Sequence, residues 1–242
     1  MLWEADLYSI LVKKETTNSA ESGTNCLVSN IKKSFGEERI EYNANGFPSK
    51  RTIVAEEDGS ILNELIFSYS GNKATYETKN GKQKGEYQLD DKGRATQEII
   101  SNYDSDGKLM NRLISKRTYS AEGYLIKEEV QVPLFGGYEN VNSWENGNLI
   151  KSVLTYSDGS SSTSNYEYYT DKTNQLESIH SRIEFKGTAP KNLIKSELDG
   201  ETGKVVRTYV YEYDAPGKPK KKTATKPGSP SSYTASYSYT CR

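Results

Sequence analysis

Cys26 and Cys241 are the side chains with the most specific chemistry in this chain. They are its only cysteines, one opening the patterned region and the other the penultimate residue. If the first and last elements of the fold lie side by side, the two Cα atoms come within the roughly 4.4–6.8 Å that a disulfide spans. Such a bond would tie the ends together and implies an oxidising compartment; the alternative is two unrelated thiols. His180 is the only histidine. An ordinary His/Cys zinc site therefore lacks ligands, and a Ser-His-Asp or Cys-His arrangement lacks a spare partner. Carboxylates are plentiful, and a glycoside hydrolase needs only two, about 5–9.5 Å apart, but no pattern marks such a pair. Asp58, Asp90, Asp106, Asp158 and Asp214 all sit in turn signals. The stretch YDSDG, Tyr103 to Gly107, begins like a calcium loop without its later acidic ligands. No catalytic residue, metal site or cofactor is expected.

Aromatic side chains are the remaining candidates. Tyrosine occurs 19 times, against 5 Phe and 2 Trp. Trp144 follows the least turn-like connection, PLFGGYEN at residues 133–140, which contains Tyr138. With Tyr166 and Tyr168 these form the candidate ligand-binding set, since flat rings beside Asn and Asp suit a sugar or an extended peptide. The competing reading makes the tyrosines the packed face of a sheet, because they share an alternation with Val and Ala.

The elements that position these groups are strands. Ile61, Asn63, Leu65, Phe67 and Tyr69 share one face, and so do Val205, Arg207, Tyr209, Tyr211 and Tyr213, then Tyr233, Ala235, Tyr237, Tyr239 and Cys241; the period is two. Only 33% of residues are hydrophobic, which suits sheets with one wet face. Asp-Gly and Asn-Gly signals separate the runs, as tight hairpins require. The expected fold is all-β: about 14 to 17 strands in consecutive antiparallel hairpins, curled into a barrel-like or half-barrel sheet because open sheets rarely exceed about ten strands. The hairpin domain covers residues 26–242. Residues 1–25 carry Leu2, Trp3, Leu7, Ile10 and Leu11 near helical spacing and then a polar linker, which predicts a short helix or arm, or else an extra strand.

Charge is nearly balanced, 32 basic against 33 acidic residues, which argues against a nucleic-acid binder. The run KPKKK, Lys218 to Lys222, reads as protection of an exposed edge. No apolar run reaches the roughly 18–20 residues of a spanning helix. The Lys, Glu, Ser and Thr on one strand face do not suit a lipid-facing barrel wall, so the chain is not expected to span a membrane. Residues 1–25 also lack the basic start, long apolar core and cleavage site of a secretory signal. That places the protein in the cytoplasm if Met1 is the native start, and otherwise follows removal of a leader.

A degenerate repeat runs through the hairpins, best seen as YEYDAPGKPKKKT, and also as GEYQLDDKGRATQEI and RTYSAEGYLIKEEV. Its motif Tyr-Xaa-Tyr-Asp-Xaa-Xaa-Gly-Lys, Tyr211 to Lys218, is similar to the tyrosine-aspartate repeats of Rhs-type shell proteins. It resembles more closely a Bacteroides-type family of envelope lipoproteins, a domain of unknown function with a porin-like β fold and a cysteine near each end. The matching positions are Cys26, the repeats from Tyr42 to Asp214, and the terminal SYSYTC ending at Cys241. The resemblance implies a cell-envelope location, in the periplasm or at the outer-membrane surface. It also implies a lipid anchor upstream of this chain and a non-enzymatic module, here expected to be a monomer that binds a glycan, peptide or lipid. A structural shell protein is the second reading, and a carboxylate-dependent hydrolase the third.

Overall fold

The computed structural model describes residues 26–33, 36–133, 136–176, 184–215 and 217–241. The helix or arm expected at residues 1–25, and His180, lie outside them. Among the described residues there are 16 strands and no helix. They are β1 (Cys26–Lys33), β2 (Gly36–Tyr42), β3 (Pro48–Ala55), β4 (Ile61–Ser70), β5 (Lys73–Thr78), β6 (Gln83–Leu89), β7 (Ala95–Tyr103) and β8 (Leu109–Tyr119). Then follow β9 (Leu125–Val132), β10 (Gly136–Glu145), β11 (Asn148–Tyr156), β12 (Ser161–Thr173), β13 (Asn192–Asp199), β14 (Val205–Tyr213), β15 (Pro219–Thr225) and β16 (Ser232–Cys241). Each pairs antiparallel with its chain neighbours, and β1 pairs with β16, closing the barrel. At that seam Cys26 stands opposite Cys241, and the two form a disulfide with an S–S distance of 1.98 Å.

The repeat motif builds one turn many times. In Asn43, Asp90 and Asp104 the side-chain oxygen accepts the backbone N–H groups two and four residues on, and Asp214 accepts that of Lys218. The Gly three residues on donates back to the carbonyl of the same residue and takes positive φ, +76° at Gly93 and +85° at Gly217. Asx chemistry plus a glycine free of Cβ strain is what this motif encodes.

The aromatic ahead of the turn has its own task. The β3–β4 ladder ends at Lys50–Ile66, and Tyr69, three residues further along β4, donates its hydroxyl to the Pro48 carbonyl at 2.6 Å. The same offset recurs on β2, β8, β12 and β16. Tyr42 reaches Val28, Tyr119 reaches Ala95, Tyr168 reaches Leu149 and Tyr239 reaches Pro219. On β10 the Trp144 indole N–H does the same to the Leu125 carbonyl at 2.9 Å. Where the strands splay, carbonyls lose their ladder donors, and a ring of this length fills the gap while its polar tip supplies the bond. Phe could fill the gap but not make the bond, which accounts for the dominance of tyrosine.

The odd-to-even connections and the even-to-odd turns lie at opposite ends of the barrel. At the second of these ends residues 184–186, ahead of β13, sit against the inner face. Phe185, 2% exposed, packs against Tyr87, Tyr69 and Phe47 with ring centroids 4.9, 6.3 and 6.4 Å away. Its carbonyl accepts from Ala95 N–H and the Tyr119 hydroxyl. Further clusters around Val28, Ile31 and Ile40 and around Leu193, Tyr209 and Tyr211 line the same inner face. Because the sheet closes, β15 is paired on both sides, so KPKKK guards no edge. Lys221 pairs with Glu212 at 2.8 Å, and Lys222 lies over the Tyr209 ring at 4.9 Å.

Candidate functional site

The interior is not purely apolar. Arg117, its side chain 3% exposed, contacts Glu98 at 2.5 Å and Glu128 at 2.8 Å, and donates a third bond to the Glu184 carbonyl at 3.1 Å. Burial alone would lower the Arg117 pKa, but the two carboxylates raise it. The triad therefore anchors the segment 184–186 to β7, β8 and β9. Lys186, next to Phe185, pairs with Glu184 at 2.7 Å. Against the carboxylate-pair chemistry weighed from the sequence, Glu98 and Glu128 are both engaged by the same guanidinium.

The wall formed by β10, β11 and β12 is more open. Tyr138 stands opposite Val130 on β9 and Tyr156 on β11. The two tyrosines are 36% and 46% exposed. Tyr138 pairs with the buried Val130, two residues from Glu128 on the face that carries Arg117, and so faces the barrel interior; burial and Glu128 raise its pKa. Asn140 and Ser152 follow on the same face, joined by a 2.6 Å hydrogen bond, and Ser152 pairs in register with Ser164. Tyr166 comes next, opposite Glu197, which in turn faces Arg207 and accepts from it at 3.1 Å. Burial raises the Tyr166 pKa, and Glu197 adds to it.

Of the aromatic set expected from the sequence, the fold puts Tyr138 and Tyr166 on this wall. Trp144 stacks on Tyr124 at 4.5 Å, and both it and Tyr168 carry hydrogen bonds to backbone carbonyls, which occupies their polar tips in holding the strand ends. Tyr156, Asn140, Ser152, Glu197 and Arg207 were not singled out from the sequence. Tyr156 was visible as an aromatic ahead of Asp158-Gly159. The others lie in polar stretches whose inward direction becomes clear only from the register.

The outer wall differs from the inner one. It carries cross-strand ion pairs such as Lys84–Glu77 at 3.2 Å and Lys127–Glu139 at 2.8 Å. Exposed apolar residues include Leu62 and Ile66 on β4, Met110 on β8, Val141 on β10, Ile150 on β11 and Val210 on β14, and charged and polar side chains interrupt them along each strand. A depression of about 750 Å³ over β4–β6 is lined by Ile66, Ser68, Thr75, Glu77 and Lys84.

The fold has solved counterparts. A porin-like protein from Bacteroides uniformis superposes with a TM-score of 0.65 at 15% identity, covering 88% of this chain and 98% of that one. A porin-like protein from Bacteroides vulgatus gives 0.59 at 12% identity, covering 88% and 99%. A TcdB2–TccC3 structure matches over 82% of this chain and 13% of that one, at a TM-score of 0.25 and 14% identity. No protein-family model and no curated protein matches the chain. The chain thus shares the porin-like barrel fold with the two Bacteroides proteins.

Proposed function

We propose that this chain is a non-catalytic cell-envelope barrel that stays in water and holds a ligand against the inner wall of β10–β12. The observation that carries the reading is the contrast between the two faces. The inner wall presents exposed rings and polar groups, and the outer wall presents ion pairs. A lipid-facing band would need apolar side chains, since a Lys or Arg at the bilayer midplane costs about 2–4 kcal/mol. Support for the envelope comes from the Cys26–Cys241 bond, which fits an oxidising compartment, and from the porin-like fold neighbours. On this reading the protein is a monomer, residues 26–242 are its single folded unit, and a lipid anchor joins it upstream to a membrane surface.

Two measurements test the proposal. The barrel without any upstream lipid anchor, its disulfide formed, should remain in the aqueous phase without detergent and should not float with phospholipid vesicles. Thermal shift against glycan, peptide and lipid panels should identify a ligand whose stabilising effect disappears in Tyr138→Ala and Tyr156→Ala. Co-flotation of the barrel, or binding indifferent to both substitutions, would sink it.

A further inference from the structure

We infer that the ligand of the inner wall is a neutral oligosaccharide of several residues. This rests on the lumen-binding reading and narrows it to a chemical class. Along β10, β11 and β12 the inward register positions that follow Tyr138 and Tyr156 are Asn140 and Asn142, Leu154 and Ser152, then Ser162, Ser164 and Tyr166. None is charged. The strip is bordered on one side by Glu128, opposite Asn140, and on the other by Glu197, opposite Tyr166. Glu128 shares Arg117 with Glu98, Glu197 binds Arg207, and Asp199, opposite Ser164 on the same border, accepts from Thr202. An anionic ligand on this strip therefore meets border carboxylates and, among the described residues, arginines that are already engaged, whereas a neutral one makes no demand on either.

The remaining classes fit less well. A peptide that binds by adding a strand needs a sheet edge, and the closed barrel has none. A lipid chain needs continuous apolar surface, whereas amide and hydroxyl groups interrupt this strip. A neutral sugar chain fits both kinds of group: its C–H faces stack on tyrosine rings while its hydroxyls meet Asn140, Ser152 and Ser164. Spacing sets the length. Tyr156 and Tyr166 lie on adjacent strands, and Leu154 pairs with Ser162, which displaces Tyr166 from the level of Tyr156 by about six residues. That is roughly 20 Å along the strands, too far for a single sugar ring to touch both.

The test is titration calorimetry of the disulfide-bonded protein after a screen on a neutral-glycan array. The first probes are maltohexaose, cellohexaose, xylohexaose and mannohexaose, with hexagalacturonate as the anionic probe and an unstructured Ala/Ser/Gly decapeptide as the peptide probe. A neutral glycan should bind, with affinity falling roughly five- to tenfold in each of Tyr156→Ala and Tyr166→Ala, as expected for loss of one stacked ring. Tyr156→Phe should stay within about twofold, because the ring remains. Trimming the glycan to a disaccharide should abolish sensitivity to one of the two positions. Circular dichroism and an intact disulfide establish that each variant is folded. Hexagalacturonate or the peptide as the only lumen-dependent ligand would overturn the sugar assignment and leave the lumen reading standing. Neutral glycans that bind without regard to these tyrosines, or no binding by any probe or array member, would overturn both.

Discussion

Replacing Tyr69 by Phe removes one oxygen and leaves the ring in place. In the folded barrel that oxygen donates to the Pro48 carbonyl at 2.6 Å, beyond the last ladder pair between β3 and β4. A neutral hydrogen bond contributes roughly 0.5–1.5 kcal/mol net, and a buried acceptor left without its donor costs about 1–3 kcal/mol. Pro48 is among the fully buried residues and Tyr69 is half-buried, so Tyr69→Phe is expected to cost about 1–2 kcal/mol, or ~2–8 °C in Tm for a domain of this size. Tyr239→Phe, which releases the Pro219 carbonyl, should cost the same, and the double variant should show the sum because the two sites share no partner. Tyr213 supplies the contrast. Its hydroxyl is buried with no hydrogen-bond partner among the described residues, so Tyr213→Phe should be neutral or stabilising by up to about 1 kcal/mol. Urea unfolding with a common m-value reads all three. Equal losses at Tyr213 and Tyr69, or no loss at Tyr69 and Tyr239, would refute the claim that these hydroxyls hold the splayed strand ends.

Other parts of the barrel give expectations of different kinds. The disulfide joins residues 215 apart. Chain entropy gives an upper figure of roughly 5 kcal/mol for such a loop, so Cys26→Ser/Cys241→Ser should lower Tm by roughly 10 °C or more; a Tm insensitive to dithiothreitol would contradict this. Arg117→Met leaves Glu98 and Glu128 facing each other without their cation and frees the Glu184 carbonyl. It should cost about 3–5 kcal/mol and speed tryptic cleavage at Lys186, with much of the stability recovered when Glu98→Gln and Glu128→Gln are added. Burial pushes the Tyr76 phenol up to about 12, with Glu98 adding to it, and burial likewise pushes Tyr119 up to about 12. The fold thus holds these phenols neutral while the unfolded chain ionises them near pH 10. Their contribution is complete below about pH 10 and is lost between pH 10 and 12, roughly 3 kcal/mol for Tyr76. Phenolate absorbance should rise together with loss of far-UV signal, and ionisation of all tyrosines near pH 10 with the fold intact would count against it.

Much of the architecture was legible in the chain. Turn signals such as Asp90-Asp91-Lys92-Gly93 fixed where hairpins reverse, because Asx capping and positive φ are local requirements. Strand runs such as 61–70 and 205–213 showed which residues share a face, since alternation needs no tertiary knowledge. The cysteine pair could be proposed from its position at the two ends. Legibility was lower where a residue's role depends on its opposite number. Asp106 reads as the turn residue of YDSDG, yet Asp104 accepts the bonds and Asp106 donates one. KPKKK reads as edge protection only while the sheet is imagined open. Trp144 reads from the sequence as a ring ahead of a turn, and only the fold shows its indole N–H bound to the Leu125 carbonyl.

The sequence by itself determined a sheet of consecutive antiparallel hairpins, because short-range turn chemistry and a period of two act within a few residues. Tertiary structure alone decided three further things. It set the closure that brings Cys26 to Cys241, and the packing that seats Phe185 among Phe47, Tyr69 and Tyr87. It also gathered Tyr138, Tyr156 and Tyr166 on one wall between carboxylates already paired to arginines. The reason is physical: register and closure join residues far apart in the chain, and no local pattern records which strand will stand opposite which.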